Sequence, residues 1–499
     1  MSEIELKFDI APEAWKRFAD AAALAGANPQ RTRMRSLYFD TPERTLARRE
    51  MALRLRREGR RWVQTLKAGR SGTGGLHERD EWEHARPGPT LDLTLLGETP
   101  LARMQDAASL GEKLAPIFEV NVTRTAWTVV PEPGCRLEVA LDRGEVASGE
   151  LTTPISEVEI ECLEGDPGRA FDLAVRLMKE VKLHPSAISK AQRGYRLSRG
   201  KPLQPVKAER VVLDSSMPTP EAARTVVGAG VAQLQANEEG VLASPNPEFV
   251  HQARVALRRT RSALRMFRRE IGETRANTWH DALGETSRAL GDARDWDVFG
   301  SHTLPAALEA FGDAALARSL RARVAYRRRI ERAKARQALR SPHYAAVLLE
   351  LGRWLAHADS EAAPVQAGTL QEFAERVVRK RHKKLLAGAL MLGSLPPAER
   401  HRVRVDAKRL RYGLDALASL FKPRPLTTFS ASLESMQDAL GDCNDAATAL
   451  RLMGELQAPE PFAAFARGWF AARERGEPST LEPIVAEIAR DRRSWLKMA

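Results

Sequence analysis

The chain has 499 residues, 43% of them hydrophobic, with 78 Lys+Arg against 65 Asp+Glu. This composition excludes a chain disordered throughout and allows about two to four domains of roughly 100 to 200 residues each. The net charge of +13 is lopsided: residues 1–200 hold 31 basic and 30 acidic side chains, while residues 201–499 hold 47 and 35, so the second part is expected to meet a polyanion.

In chain order, the opening segment MSEIELKFDI alternates charged and apolar residues, as a strand does, and carries acids where a secretory leader needs a basic start. With no run of about 18 apolar residues to span a membrane, a cytoplasmic protein is expected. Pro12 predicts the first turn of a helix over 12–25. MALRLRRE, RWVQTLKAG, RDEWEH, CRLEVALD and ISEVEIECL then alternate at period two and predict further strands. SGTGG (71–75) lacks the Lys-Ser/Thr ending of a P-loop and reads as a strand connection. Cys135, Cys162 and Cys443 have no metal-site or redox spacing, which argues against structural disulfides. Pro202, Pro205, Pro218 and Pro220 interrupt helix between the two halves. The expected division is a domain at 1–200, a linker at 201–219 and a helical domain at 220–499, with repeat units near 220–365 and 366–499.

The strands of the first domain carry charge on one face. Glu3, Glu5 and Lys7 alternate with Ile4, Leu6 and Phe8; Arg54 and Arg56 flank Leu55; Arg79, Glu81 and Glu83 share a face, as do Arg136, Glu138 and Asp142; Glu157, Glu159 and Glu161 alternate with Val158 and Ile160. If the sheet curls with its apolar side against helices, these charges converge on a lumen that needs a ligand to complete it. Clustered carboxylates suit a hard cation such as Mg²⁺ or Mn²⁺, and interleaved Lys and Arg suit phosphate oxygens. Glu138 and Glu157 stay open between lumen and surface.

The ExExK run at Glu3, Glu5 and Lys7 resembles the signature of the CYTH superfamily. SLYFDTP, LRLR, TLKAGR, GGLHERDEWE, ALDRGEV, EVEIE and SKAQRGY resemble further family motifs in order. The resemblance implies an α+β chain whose N-terminal part is an antiparallel eight-stranded barrel, a tunnel open at both ends that hydrolyses or cyclises triphosphates with divalent metal. It further implies Glu3, Glu5, Glu159 and Glu161 as metal ligands, with Glu81 available to a second metal. Lys7, Arg54, Arg56, Lys67, Arg79, Arg124, Lys190 and Arg193 become triphosphate binders, and Glu5, Lys7 and Lys67 the catalytic set. GGLHERDEWE beside a basic helical half most resembles bacterial inorganic triphosphatases, which split tripolyphosphate into diphosphate and phosphate. Adenylate cyclases, thiamine triphosphatases and nucleoside triphosphatases share the same gripping residues and stand as the alternative.

The second part repeats itself at an offset of 150 residues. His251, Arg254, Val255, Arg259, Arg261 and Leu264 match His401, Arg404, Val405, Arg409, Arg411 and Leu414, and Leu290, Gly291, Asp292 and Asp295 match Leu440, Gly441, Asp442 and Asp445. His251, Arg254, Arg258, Arg261 and Arg265 form one helical stripe, and His401, Arg404, Lys408 and Arg411 form another. Like charges at this spacing repel, so a stripe kept twice predicts an anion that relieves the repulsion. The repeat is similar to the CHAD domain, which implies paired all-α bundles around a basic surface for long-chain inorganic polyphosphate. Single histidines per helix argue against metal chelation there. Asp292, Asp295 and Asp297 are expected to cap or pair with arginines. Few aromatics accompany the stripes, so nucleic acid is not indicated, although a noncatalytic polyphosphate or RNA binder is a further alternative.

Overall fold

A computed structural model describes residues 2–69, 72–104, 107–356, 368–474 and 478–490. The chain forms two compact units: Met1–Gln204 joined by the helix Pro342–Ala356, and the remainder from Pro205 onward.

The first unit is built on nine strands: β1 (Ser2–Ile10), β2 (Gln30–Asp40), β3 (Met51–Glu58), β4 (Arg61–Ala68), β5 (Leu76–Arg86), β6 (Ala115–Glu132), β7 (Cys135–Ser148), β8 (Leu151–Glu164) and β9 (Leu183–Pro185). Their order is β5-β4-β3-β2-β6-β7-β8-β1, and β5 pairs with β1, so the first eight close an antiparallel barrel; β9 adds to the far end of β1. Closure follows from the alternating pattern. Leu6, Phe8, Leu137, Val139, Val158 and Ile160 turn outward into a core with Phe18 and with Phe171, Leu173 and Leu177 of the helix Gly168–Glu180. Their charged neighbours then have to face the lumen. On the other side, Leu53, Leu55 and Leu66 pack under Leu46, Leu96 and Leu101.

Two strands, β2 and β6, escape the charge-alternation reading. Their lumen positions are Gln30, Thr32, Met34, Ser36 and Tyr38 on β2, and Val120, Val122 and Ala126 beside Arg124 on β6. One wall of the barrel is therefore almost uncharged, and on β2 the alternation is inverted: Arg31, Arg33 and Arg35 alternate with the lumen residues and take the outer face. The predicted helix at 12–25 is broken into Pro12–Ala14, Trp15–Ala19 and Ala22–Leu24. The expectation of two open mouths also needs correction, because the helix Lys190–Arg199 fills one of them. Ser189 and Gln192 cap its start reciprocally, and Ala191 and Tyr195 pack against Tyr38, Phe118, Val120 and Val122.

The second unit is all helical among its described elements. Thr219–Ala243, Pro247–Met266 and Glu273–Val298 recur as Leu370–Ala389, Pro397–Leu417 and Pro423–Glu455, each about 150 residues on. The repeat also holds in detail: a Cβ built on Gly291 would lie 3.6 Å from Arg254 Nε, and one on Gly441 would lie 4.0 Å from Arg404 Nη2. The helix Pro342–Ala356, in the stretch assigned by sequence to the first helical repeat, has Leu349 in the same apolar cluster as Leu6 and Phe8 of β1.

Candidate functional site

The barrel encloses a cavity of about 360 Å³ lined by Glu3, Glu5, Lys7, Arg54, Arg56, Lys67, Arg79, Glu81, Arg124, Glu159, Glu161 and Lys190. All the triphosphate and metal candidates except Arg193 are therefore brought together. Arg193 is absent from the lining and pairs with Asp9 at 2.6 Å and with Glu157 at 3.9 Å.

Strand register sorts the charges into two zones. Glu138, Glu161 and Glu5 lie side by side across β7, β8 and β1, so carboxylates meet carboxylates. One step along, Ala140, Glu159 and Lys7 align, and beyond them Asp142 pairs with Glu157. In this second zone Lys190 Nζ sits 2.6, 2.5 and 2.8 Å from carboxylate oxygens of Asp142, Glu157 and Glu159. Arg124 holds both oxygens of Asp142 at 2.8 and 2.9 Å and also reaches Glu159, which in addition bonds Lys7. Asp142, Glu157 and Glu159 are close enough to share a cation, and the Lys190 ammonium occupies that role. Glu159, placed among the metal ligands by resemblance, is thus ion-paired to three cations. Burial pushes its carboxyl upward, but Lys190, Lys7 and Arg124 outweigh this and hold it well below the usual range.

The carboxylate zone is different. Glu161 makes no ion pair among the described residues. Burial, then Glu3 and Glu5, push it up to about 7. Burial also lifts Glu81 to about 7, with Glu3 and Glu83 adding to the effect against Lys67 and Arg54. Burial raises Glu3 as well, but Lys67 and Lys7 prevail and hold it at about 2. Glu161 and Glu81, which resist ionisation, beside the ionised Glu3 make a carboxylate cluster that fits a hard divalent cation with oxygen ligands.

Several lining residues were outside the sequence-derived set: Glu58, Glu83, Glu138 and Asp142. The alternation was a usable signal: Glu83 shares a face with Arg79 and Glu81, already chosen, and Glu138 and Asp142 share the charged face of β7. Glu157 resolves to the lumen side, 1% exposed and bonded to Lys190. His77, which carried no sequence pattern, is buried with Nε2 2.9 Å from the Ser186 carbonyl oxygen; burial, then Lys7, depress it to about 3, so it is neutral.

In the second unit a groove of about 690 Å³ is lined by Arg254, Arg258, Arg261, Arg265, His401, Arg404 and Lys408, joined by Arg381, Arg409 and Arg451. His251 and Arg411, both in the predicted stripes, are absent from the lining. His251 is half-buried, and burial followed by Arg294 lowers its pKa. Arg411 lies against the Tyr412 ring at 5.8 Å, and Arg258 lies against the same ring at 5.2 Å. Burial, then the neighbouring Arg254, Arg404 and Arg411, depress Arg258 despite Tyr412. Arg381 falls to about 10 through burial and Arg409. Arginines crowded enough to lose proton affinity mark unbalanced positive charge. Asp295 pairs with Arg451 at 3.4 Å and Arg254 at 4.0 Å, and Asp297 with Arg328 at 2.8 Å and Arg332 at 3.0 Å, so these acids serve arginines as expected. Pairing by Asp292 is not among these contacts. The side chains of Asp442, Cys443 and Asp445 lie outside the described residues.

Residues 1–195 match the CYTH domain model and residues 225–454 match the CHAD domain model, so the chain belongs to the proteins that carry these two domains in series. Over 201 residues it is 33% identical to an inorganic triphosphatase of Haemophilus influenzae, a match covering 40% of this chain and 55% of that protein. It is 27% identical over 476 residues to an uncharacterized protein of Mycobacterium tuberculosis, covering 89% of this chain and 86% of the relative. The crystal structure of the CHAD domain from the plant Ricinus communis superposes with a TM-score of 0.52 at 32% identity, covering 59% of this chain and 99% of that domain. No helix among the described residues is long and apolar enough to cross a membrane.

Proposed function

We propose that the barrel is a divalent-metal-dependent inorganic triphosphatase that splits tripolyphosphate into diphosphate and phosphate, and that the basic groove binds long-chain inorganic polyphosphate in the cytoplasm. The observation that carries the proposal is the two-zone lumen, in which Glu161 faces Glu3 and Glu5 with no ion pair among the described residues, beside cations held at fixed positions. The similarity to the Haemophilus triphosphatase over the barrel supports it.

Glu3, Glu5 and Glu161 would hold a Mg²⁺ or Mn²⁺ ion, with Glu81 within reach of a second. When bound, such an ion neutralises phosphoryl oxygens and lowers the pKa of a coordinated water. The protein's own contribution is positioning and charge. Lys7, Arg54, Arg56, Lys67, Arg79, Arg124 and Lys190 present donors to phosphate oxygens from several sides of the cavity. Lys7 is anchored by Glu5 at 3.0 Å and by Glu159, and burial, which would lower its pKa, loses to Glu159 and Glu5, so it stays charged throughout the neutral range. Lys67 is held by Glu3 and, at 3.3 Å, by Glu81. Fixed cations of this kind stabilise charge on the departing phosphate without reorganising. Arg193 stands outside the cavity lining and pairs with Asp9 and Glu157. The near-absence of aromatic rings from the lining, where Tyr38 stands alone, favours an inorganic substrate over the nucleotide and thiamine compounds of the alternative reading.

The deciding experiment is phosphate release by the whole chain with Mg²⁺ or Mn²⁺, comparing tripolyphosphate, ATP and thiamine triphosphate. Fastest release from tripolyphosphate is expected. Preference for an organic triphosphate would replace the inorganic reading, and no release at all would leave a binding protein.

The raised carboxyls give a pH prediction. A carboxyl at about 7 in the folded chain and near 4.5 when unfolded binds more protons folded, so its contribution to stability is lost as pH rises through this interval. Divalent metal should reverse this, because it binds the ionised form. In EDTA the melting temperature is expected to carry a destabilising contribution that grows from pH 5 to pH 7, and Mg²⁺ should raise it more at pH 7.5 than at pH 5.5. A metal-induced shift independent of pH would remove Glu161 and Glu81 from the metal site.

For the groove, Arg258→Ala with Arg404→Ala should weaken long-chain polyphosphate binding by about tenfold or more and flatten its salt dependence, since each lost phosphate contact removes released counterions. Phosphate release from tripolyphosphate should be unaffected. Undiminished retention of polyphosphate at 150 mM salt would move the binding surface elsewhere.

A further inference from the structure

Along the edge of β1 opposite β8, the backbone of Lys7 is held by two loops that a distant helix covers. Lys7 N donates to the Gly75 carbonyl at 2.8 Å, and the Lys7 carbonyl accepts from Ser186 N at 2.8 Å. Gly74 and Gly75 have φ values of +71° and +89°, a conformation open to glycine at little cost. The helix Pro342–Ala356 lies directly on both loops. A Cβ on Gly352 would meet the Gly74 carbonyl oxygen at 2.8 Å, and one on Gly74 would meet Gly352 Cα at 2.5 Å. Beside the other loop, Tyr344 stacks on His184 with ring centroids 5.9 Å apart. Leu349, 1% exposed, sits in the apolar cluster that also takes Leu6 and Phe8, the residues on either side of Lys7. Arg353 ties the helix end to Asp172 at 3.0 Å.

We infer that the helix Pro342–Ala356, with Gly352 as its positioning residue, sets the place of Lys7 in the triphosphate lumen. The inference rests on the reading of that lumen as a triphosphate site. A lysine that must meet a phosphate oxygen tolerates little displacement. β8 fixes one edge of its strand, the Gly74–Gly75 and Pro185–Ser186 loops fix its backbone on the other, and the close glycine–glycine approach lets a helix that begins 178 residues after β8 ends press on the first of them. A chain cut after residue 204 would keep the barrel strands and lose this support.

The test uses the full chain with Gly352→Ala, Lys7→Gln and both together. Two readouts are taken: hydrogen exchange of the segment 2–10, and tripolyphosphate affinity by titration calorimetry in EDTA. The added methyl should speed exchange at the amides around Lys7 and weaken tripolyphosphate about tenfold in the parent background, but less than about twofold when Lys7 is already Gln, since residues acting through one another are not additive. A merely structural role would cost the same affinity in both backgrounds. If Gly352→Ala does not accumulate folded protein, Leu349→Ala loosens the same helix without a collision and is read the same way. Unchanged exchange, or equal affinity loss with and without Lys7, overturns the positioning role. Failure of the parent chain to bind tripolyphosphate overturns the substrate reading itself, while the exchange result still reports on the helix.

Discussion

Replacing Lys190 with Met should cost the first unit about 3 to 5 kcal/mol of stability, the usual consequence of removing one partner from a buried ion cluster. The Lys190 ammonium lies within 2.8 Å of three carboxylates, and the Asp142 side chain is fully buried. Without it Asp142 and Glu159 keep Arg124, but Glu157 is left with Arg193 at 3.9 Å. Burial depresses the Lys190 pKa, but Asp142, Glu157 and Glu159 outweigh it and raise the group well above its ordinary value, so the parent keeps the full benefit of this charge throughout the neutral range. In the variant the acids should hold protons more tightly folded than unfolded, and stability should recover as pH falls from about 7 towards 5. Denaturant unfolding at both pH values checks this. A loss below about 1 kcal/mol at pH 7 would mean that the cluster relaxes or hydrates on losing its cation. Affinity for tripolyphosphate should fall as well, because the same ammonium faces the cavity.

The second large effect is on turnover. Glu5→Gln keeps the shape and removes one of the charges that face Glu161, and the metal-dependent rate should fall at least about 10²-fold, as expected when a ligand that organises a catalytic cation is lost. Stability should change little, since Lys7 loses its 3.0 Å partner but keeps Glu159. The like-charge pressure on Glu161 should also ease, drawing its pKa down from about 7. Phosphate release at saturating tripolyphosphate across a Mg²⁺ titration, with carboxyl titration followed by NMR, checks both parts. A rate near the parent's at moderate Mg²⁺ would take Glu5 out of the metal site.

The sequence alone determined the two-part organisation, the barrel, the duplicated helices and most of the lumen. Period-two alternation leaves a strand only one way to bury its apolar side, so Glu3, Glu5 and Lys7 had to share a face, and a repeat at constant offset can hardly arise from chance matches between basic helices. It did not reach the uncharged lumen wall: on β2 the charged residues Arg31, Arg33 and Arg35 face outward while Thr32, Met34 and Ser36 line the lumen, so charge alternation there points to the opposite side, and the helix at 12–25 could not be known to break. Only the tertiary structure decided which acids stay without cations and which are neutralised. Glu159 and Glu161 occupy equivalent positions two residues apart on β8, yet Lys7, Arg124 and Lys190 converge on the first and Glu3 and Glu5 on the second. That difference arises from β1, β6 and the helix Lys190–Arg199, far apart in the chain, as does the seat of Gly352 against Gly74. Periodicity reports which way a side chain points, whereas the charge it meets depends on which distant strand folding places beside it.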